Sequence, residues 1–331
     1  MNEMWGCRAM KRALAETVNQ SSLKKPGLWP RLRDQWDLQL LGLPGIILIL
    51  IFSYLPMYGL IMSFQEYRMG DFPGMSQWVG LKQFQYLLKD PSLFTAVRNT
   101  LVISVLKLTI GFVCPIIFAV FLNEIHRPQV KKTVQTVSYL PHFISWTVCA
   151  MLMMDFLSVD NGAFNEFLVK AHIVDAPIPF FQNSKYFWGM ALFTDIWKEL
   201  GWNSIIYISA MAGVDAEMYE AADIDGATRV QKIWYITVKA IKPTIILLFI
   251  MSVGGILNTN FDQIMMLTKN MGNAMLKETA DVIDTYIYRY GLGQFRVSFA
   301  TAAGLVKAVI NFALLLGANK IADVAGENAL F

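Results

Sequence analysis

The sequence predicts an all-α membrane protein with six transmembrane helices, and three observations carry that prediction. First, the 331 residues are 55% hydrophobic and only 16% charged, with a mean hydropathy of +0.43; a soluble domain averages about 25% charged. Second, the apolar residues gather in runs near the ~20 residues a helix needs to cross a hydrocarbon core of ~30 Å. Third, the lysines and arginines divide unevenly between alternate connections, as in multi-pass proteins.

Six stretches qualify as spans. Residues 38–64 carry no charge, although Pro44 and Pro56 interrupt them. Residues 100–122 hold Lys107, and 134–157 are entered through Tyr139-Leu140-Pro141. The fourth stretch, 186–214, is the more polar, with Asp195, Lys198 and Glu199; the fifth is 243–267. The sixth, 297–318, contains Lys307. The outer connections, 65–98, 158–185 and 268–296, are long and rich in aromatics and turn formers. Trp78, Phe84, Tyr86, Phe180, Phe181, Tyr186, Phe187 and Trp188 suit the headgroup zone. A sugar-stacking role for one or two of them is the competing reading.

Orientation follows from cations near the span ends. With the N-terminus inside, fifteen lysines and arginines fall on the cytoplasmic side and ten outside. Arg127, Lys131 and Lys132 in the short second loop are the cleanest contribution. Both termini are therefore expected in the cytoplasm. The chain divides into a basic N-terminal arm at 1–37, a membrane domain at 38–322 and a tail at 323–331. The arm is polar, with no apolar stretch before a cleavage site, so no signal peptide is expected.

Several functions are excluded. A net charge of +3 without a basic-aromatic stripe argues against a nucleic-acid partner. Cys7, Cys114 and Cys149 are widely spaced, and no His/Cys cluster suggests a metal or a disulfide framework. His126, His142 and His172 do not cluster with a nucleophile, so the chain reads as a non-enzyme. No G-x-x-x-x-G-K-S/T motif occurs, so any ATP hydrolysis belongs to another subunit.

The loop at 215–242 carries the most specific signal. Asp215 is a natural N-cap and Glu217 favours the first turn, while Gly226 sits where a short helix would stop. Met218, Ala221 and Ala222 share one smooth face. The residues alone fit an ordinary amphipathic loop helix equally well.

Glu220-Ala221-Ala222-x-x-x-Gly226, followed by Ile236-x-Val238, resembles the "EAA" loop of ABC importer permeases. In that family this coupling helix sits in a cleft of the cytoplasmic ATPase, which assigns ATPase coupling to Glu220, Ala221, Ala222, Asp225 and Gly226. The family pattern ends Ile-x-Leu-Pro; here Lys239 takes the place of the first proline and Pro243 follows. The resemblance covers about residues 31–331. It extends over residues 52–59, 79–84 and 123–125, the block Tyr139-Leu140-Pro141-His142-Phe143-Ile144-Ser145-Trp146, then Ile196-Trp197-Lys198-x-x-Gly201-Trp202 and Asp284-Thr285-Tyr286-x-Tyr288-Arg289. These blocks are similar to the oligo- and polysaccharide branch, whose members include permeases for aldouronates, pectin fragments and alginate. The resemblance implies a type I importer fold in a bacterial cytoplasmic membrane. It also implies a second homologous permease, two ATPase subunits that bind ATP and Mg, and an external solute-binding protein. No cofactor is implied in this chain.

A charge at mid-span costs at least ~2.5–3.5 kcal/mol on insertion scales, so it faces a cavity or a partner. Lys107 or Lys307 facing the translocation cavity would attract an acidic oligosaccharide. The competing reading is that each pairs with an acid or snorkels to the interface. Asn258, Asn260 and Gln263 are candidates to hydrogen-bond sugar hydroxyls, against plain interhelical bonding. Asp195 and Lys198, three apart, are expected to pair with each other. The alternative to an ATP-driven importer is an ion-coupled secondary transporter, which predicts inverted repeats with broken helices; none is visible in the sequence.

Overall fold

The computed structural model describes residues 36–68 and 70–326, so the basic arm up to residue 35, Cys7 and tail residues 327–331 lie outside it. These residues form two units, one ending at Gly59 and one beginning at Leu60. The first unit is an apolar helix: α1 (Trp36–Ile49) passes through a π turn at Leu50–Tyr54 into a further turn at Leu55–Met57. Pro44 is accommodated inside α1, and the wider π turn follows within two turns. None of its described side chains is buried, which fits a lipid-facing segment.

The second unit opens on a short hairpin, Gln65–Glu66 paired antiparallel with Gln77–Trp78, and on α2 (Lys82–Lys89). The Asp90 carboxylate then caps α3 (Pro91–Leu106), accepting from the Ser92 amide at 2.9 Å with Pro91 in the first turn. Through a π turn at Lys107–Gly111, α3 continues into α4 (Phe112–Asn123), a run of 33 residues. This helix begins about two and a half turns before the expected residue 100, because the Asp-Pro cap is a stronger start signal than the onset of hydropathy.

The third stretch is not one straight helix. α5 (Pro128–Tyr139) runs into a 3₁₀ turn at Leu140–Phe143, and α6 (Trp146–Phe156) departs at 105°. Pro141 has no amide to donate, and Ile144 and Ser145 are extended; Ser145 then caps α6 through Val148 N. After α7 (Ala163–Lys170) comes the 26-residue α8 (Phe187–Ala212), close to the expected 186–214.

α9 (Ala216–Ile224) and α10 (Arg229–Lys232) follow, and a π turn at Ile233–Thr237 joins α10 to α11 (Val238–Gly254). The expected fifth span, 243–267, is thus displaced and broken: the helix covers Arg229–Gly254, and the chain resumes as α12 (Phe261–Leu267). Asn260 takes a left-handed φ of 60° in the gap and caps α12, while the Leu257 amide donates to Asn311 Oδ1. α13 (Lys277–Ala280), α14 (Ile283–Tyr288) and the 28-residue α15 (Val297–Val324) complete the unit, α15 running past the expected residue 318.

Among the described residues, four helices are long and apolar enough to cross a membrane, five if the bent α5–α6 pair counts as one span. α8 is long enough, at about 39 Å, but carries all three of its charges, Asp195, Lys198 and Glu199, near mid-length. Its apolar face shares a core with Ile103, with Cys149 and Met153 of α6, and with Ile264 and Leu267 of α12. Phe187, expected at the headgroups, is fully buried there. A second core joins Tyr207 and Met211 of α8 to Ala119 and Ile241.

Candidate functional site

Lys107 stands at the first position of the π turn between α3 and α4. Such turns displace a side chain from the regular helical face and concentrate at functional positions. Its ammonium donates to Asp195 Oδ1 of α8 at 2.6 Å and to Gln263 Oε1 of α12 at 2.7 Å. Gln263 is fully buried, and its amide nitrogen donates to Ala191 O at 2.6 Å and Thr194 Oγ1 at 2.8 Å. Both ends of that amide are committed, which fixes its oxygen toward the lysine.

These groups border a cavity of about 180 Å³ lined by Ser104, Lys107, Asp195, Asn203, Ser252 and Asn258, among others. Ser104 Oγ is buried there without a hydrogen-bond partner. The site therefore offers hydroxyls, amides and a charge pair that retains about a fifth of its exposure, 17% and 20% for the two side chains.

Lys307 lies elsewhere. It is hydrogen-bonded and ion-paired to Asp284 of α14, whose other oxygen accepts from the amide and hydroxyl of Thr259. Asp284 lines a separate, mostly apolar cavity of about 540 Å³ beside Phe261 and Tyr288.

Of the expected pathway residues, Lys107 and Gln263 are in contact and Asn258 borders the same cavity, whereas Lys307 pairs with Asp284, which lines a different one. Asn260 caps α12, its Oδ1 accepting from Gln263 N at 3.4 Å. Each lysine has an acid partner within the chain. The expected Asp195–Lys198 pair does not form: their side chains diverge, Asp195 to Lys107 and Lys198 to the backbone carbonyl of His142 at 2.5 Å. Asp195, Ser104 and Asp284 line these cavities without being among the expected pathway residues. The signal for the two acids was available, since a lysine in an apolar span requires a counter-charge.

The loop helix α9 is built as its residues dictate. Asp215 accepts from Glu217 N at 3.0 Å, and Gly226 takes a φ of +77° two residues after the last helical turn. Ala227 N closes the end on Ala222 O at 2.9 Å. Met218, Glu220 and Ala221 are exposed and Ala222 is half-buried. Tyr219 Oη lies 2.9 Å from Thr237 Oγ1, and Lys232 donates to Asp223 at 2.6 Å, so α9 is tied to the helix that follows it. Lys239 lies within α11 with its ammonium 5.3 Å from the Tyr235 ring. Having an amide, it fits a helix interior, and Pro243 is accommodated one turn further along the same helix.

The profile of the "binding-protein-dependent transport system inner membrane component" family matches residues 111–322, which include the loop helix and the cavity residues from Gly111 onward, while Ser104 and Lys107 precede the match. The chain belongs to this family. It is an ABC transporter permease, a multi-pass inner membrane component and not an enzyme. The permease is 40% identical over 310 residues to the polygalacturonan/rhamnogalacturonan transport system permease protein YteP of Bacillus subtilis (strain 168), covering 93% of this chain and 94% of that one. It is 39% identical over 299 residues to protein LplB of the same organism, covering 90% and 92%. Among solved structures it is similar to a chain of a bacterial alginate ABC transporter in complex with an alginate pentasaccharide-bound periplasmic protein. There the TM-score is 0.82 at 37% identity, covering 92% of this permease and 99% of that chain.

Proposed function

We propose that this permease is one of two related membrane subunits of an ATP-driven importer, and that its substrate is an acidic oligo- or polysaccharide. The observation that carries the acidic reading is Lys107, a cation held at the edge of a polar intramembrane cavity. A neutral sugar requires no such charge, whereas a uronate presents a carboxylate on every residue. In this reading the substrate carboxylate competes with Asp195 for the Lys107 ammonium, while Asn258, Asn203 and Ser104 meet hydroxyls. The two relatives whose names specify polygalacturonan/rhamnogalacturonan and alginate support it. A cavity smaller than the ~300–1,000 Å³ of a drug-sized site suits one sugar residue at a time, with the second permease completing the passage.

The surrounding assembly follows from the loop helix. α9 docks on a cytoplasmic ATPase through Glu220, Ala221, Ala222, Asp225 and Gly226. Two ATPase subunits bind ATP and Mg, a solute-binding protein delivers the saccharide from outside, and both termini lie in the cytoplasm. The test is ATPase stimulation in proteoliposomes containing both permeases and the ATPases. Binding protein loaded with an oligouronate is expected to stimulate hydrolysis, and protein loaded with a neutral oligosaccharide of equal length is not. Stimulation by the neutral sugar alone would reject the acidic substrate.

A further inference from the structure

Two blocks of sequence that the transport site does not use, 139–146 and 196–202, meet at the corner between α5 and α6. The Lys198 ammonium, on α8, donates to His142 O at 2.5 Å and reaches Pro141 O at 3.5 Å. It also lies 5.4 Å from the centre of the Trp146 ring, at the start of α6. Lys198 is only 4% exposed, and burial of a charge is costly unless it is paired and hydrogen-bonded. Its acid partner is the adjacent Glu199 at 3.3 Å, whose second oxygen lies 2.6 Å from His142 Nδ1. The His142 ring in turn stacks on Trp202 at 4.1 Å and an interplanar angle of 2°. One turn along, Gly201 lets α8 approach α5 so closely that a Cβ there would fall 2.1 Å from Ser138 O.

Thus α8 grips α5, the turn and α6 at once. The physical reason is local: Pro141 O accepts the Ile144 amide at 3.1 Å, whereas His142 O, at the helix end beside the break, takes its bond from the Lys198 cation, which also matches the helix dipole. Without the grip, the extended residues 144 and 145 form a natural hinge.

We infer that Lys198 is a positioning residue for transport, locking the 105° corner so that α5, α6 and α8 move as one body when α9 moves. Only Gly213, Val214 and Asp215 separate α8 from α9. At the far side, α6 shares its core with α12, and Thr147 Oγ1 contacts Met266 S at 3.5 Å; α12 also bears Gln263, the residue that holds Lys107. A displacement of α9 therefore reaches the cavity through two rigid members. This inference rests on the reading of α9 as the ATPase docking element.

The test uses the full transporter in proteoliposomes, comparing Lys198→Met with Lys198→Arg. Lys198→Met is expected to assemble and retain basal ATPase activity. Its binding-protein-driven transport falls about tenfold, the scale of one charge-assisted hydrogen bond, so ATP consumed per substrate rises. Lys198→Arg, which restores charge and donors, is expected to recover most of the transport. Wild-type ATP consumption per substrate in Lys198→Met overturns the inference. So does an equal fall of ATPase and transport that arginine fails to rescue, since that marks a role in folding alone. If Lys198→Met does not assemble, Trp146→Leu removes only the ring beside the ammonium and is expected to uncouple partially; full coupling there overturns the inference. A wild-type complex whose ATPase ignores loaded binding protein would instead reject the docking role of α9.

Discussion

Lys107 and Asp195 stand 88 residues apart on different helices, yet their charged groups meet at 2.6 Å on the edge of a polar cavity. The pair compensates two charges that neither helix would otherwise hold in a membrane. In the function proposed above, it also gives the cavity a cation for which a substrate carboxylate competes.

Removing one partner leaves the other uncompensated. A fully buried pair broken in this way costs about 3–5 kcal/mol; with a fifth of each side chain exposed, Lys107→Met is expected to cost about 1–3 kcal/mol. The melting temperature of the solubilised complex measures it. The double variant Lys107→Met/Asp195→Leu is expected to regain most of the stability but not the uptake of acidic saccharide. Full uptake by the double variant would remove Lys107 from the pathway.

Close packing makes a second, local prediction. Gly201→Ala would drive a methyl into the Ser138 backbone carbonyl, whereas Gly189→Ala, on the same helix, meets nothing within 4 Å. Overpacking against backbone costs about 1–3 kcal/mol. Thermal melting is expected to separate the two sharply, and equal melting points would contradict the close approach of α8 to α5.

The end of α9 is similarly specific. Gly226 holds a φ of +77°, a conformation that costs a residue with a Cβ about 1–2 kcal/mol. Gly226→Ala is expected to loosen the turn and weaken ATPase retention about tenfold, measured by co-purification. Ala222→Arg, which adds bulk to the small face, is expected to abolish retention while membrane insertion persists.

Asp90 offers a pH test outside the spans. Burial works to raise its carboxyl, but hydrogen bonds from Ser92, Tyr290 and Tyr286 outweigh that and hold it at about 2. Its contribution to stability is therefore fully present above the unfolded carboxylate value near 4 and is lost only as pH falls toward 2. The gap in melting temperature between the wild type and Asp90→Asn is expected to stay constant from pH 7 to 5. In a Tyr286→Phe/Tyr290→Phe background, which removes two donors at 2.8 Å, that gap is expected to shrink.

Much of this was legible in the sequence because hydropathy and capping are local. The Asp215 cap, the Gly226 stop and the extent of α8 follow from residues within a turn of each other. The breaks were harder to read. Pro141 marks a helix entrance, but a 105° corner depends on what α8 offers the His142 carbonyl. The gap before α12 depends on Asn311, more than fifty residues further on, accepting the Leu257 amide. Charge pairing is hidden for the same reason: Asp195 and Lys198 are neighbours along α8, but tertiary contacts direct them to different partners.

The most direct test of the account is ATP-dependent accumulation of a labelled oligouronate in proteoliposomes containing this permease, its partner permease and the ATPases. The account predicts accumulation that needs both ATP and loaded binding protein, and that is lost in Ala222→Arg. Accumulation driven by a sodium or proton gradient without ATP would contradict it.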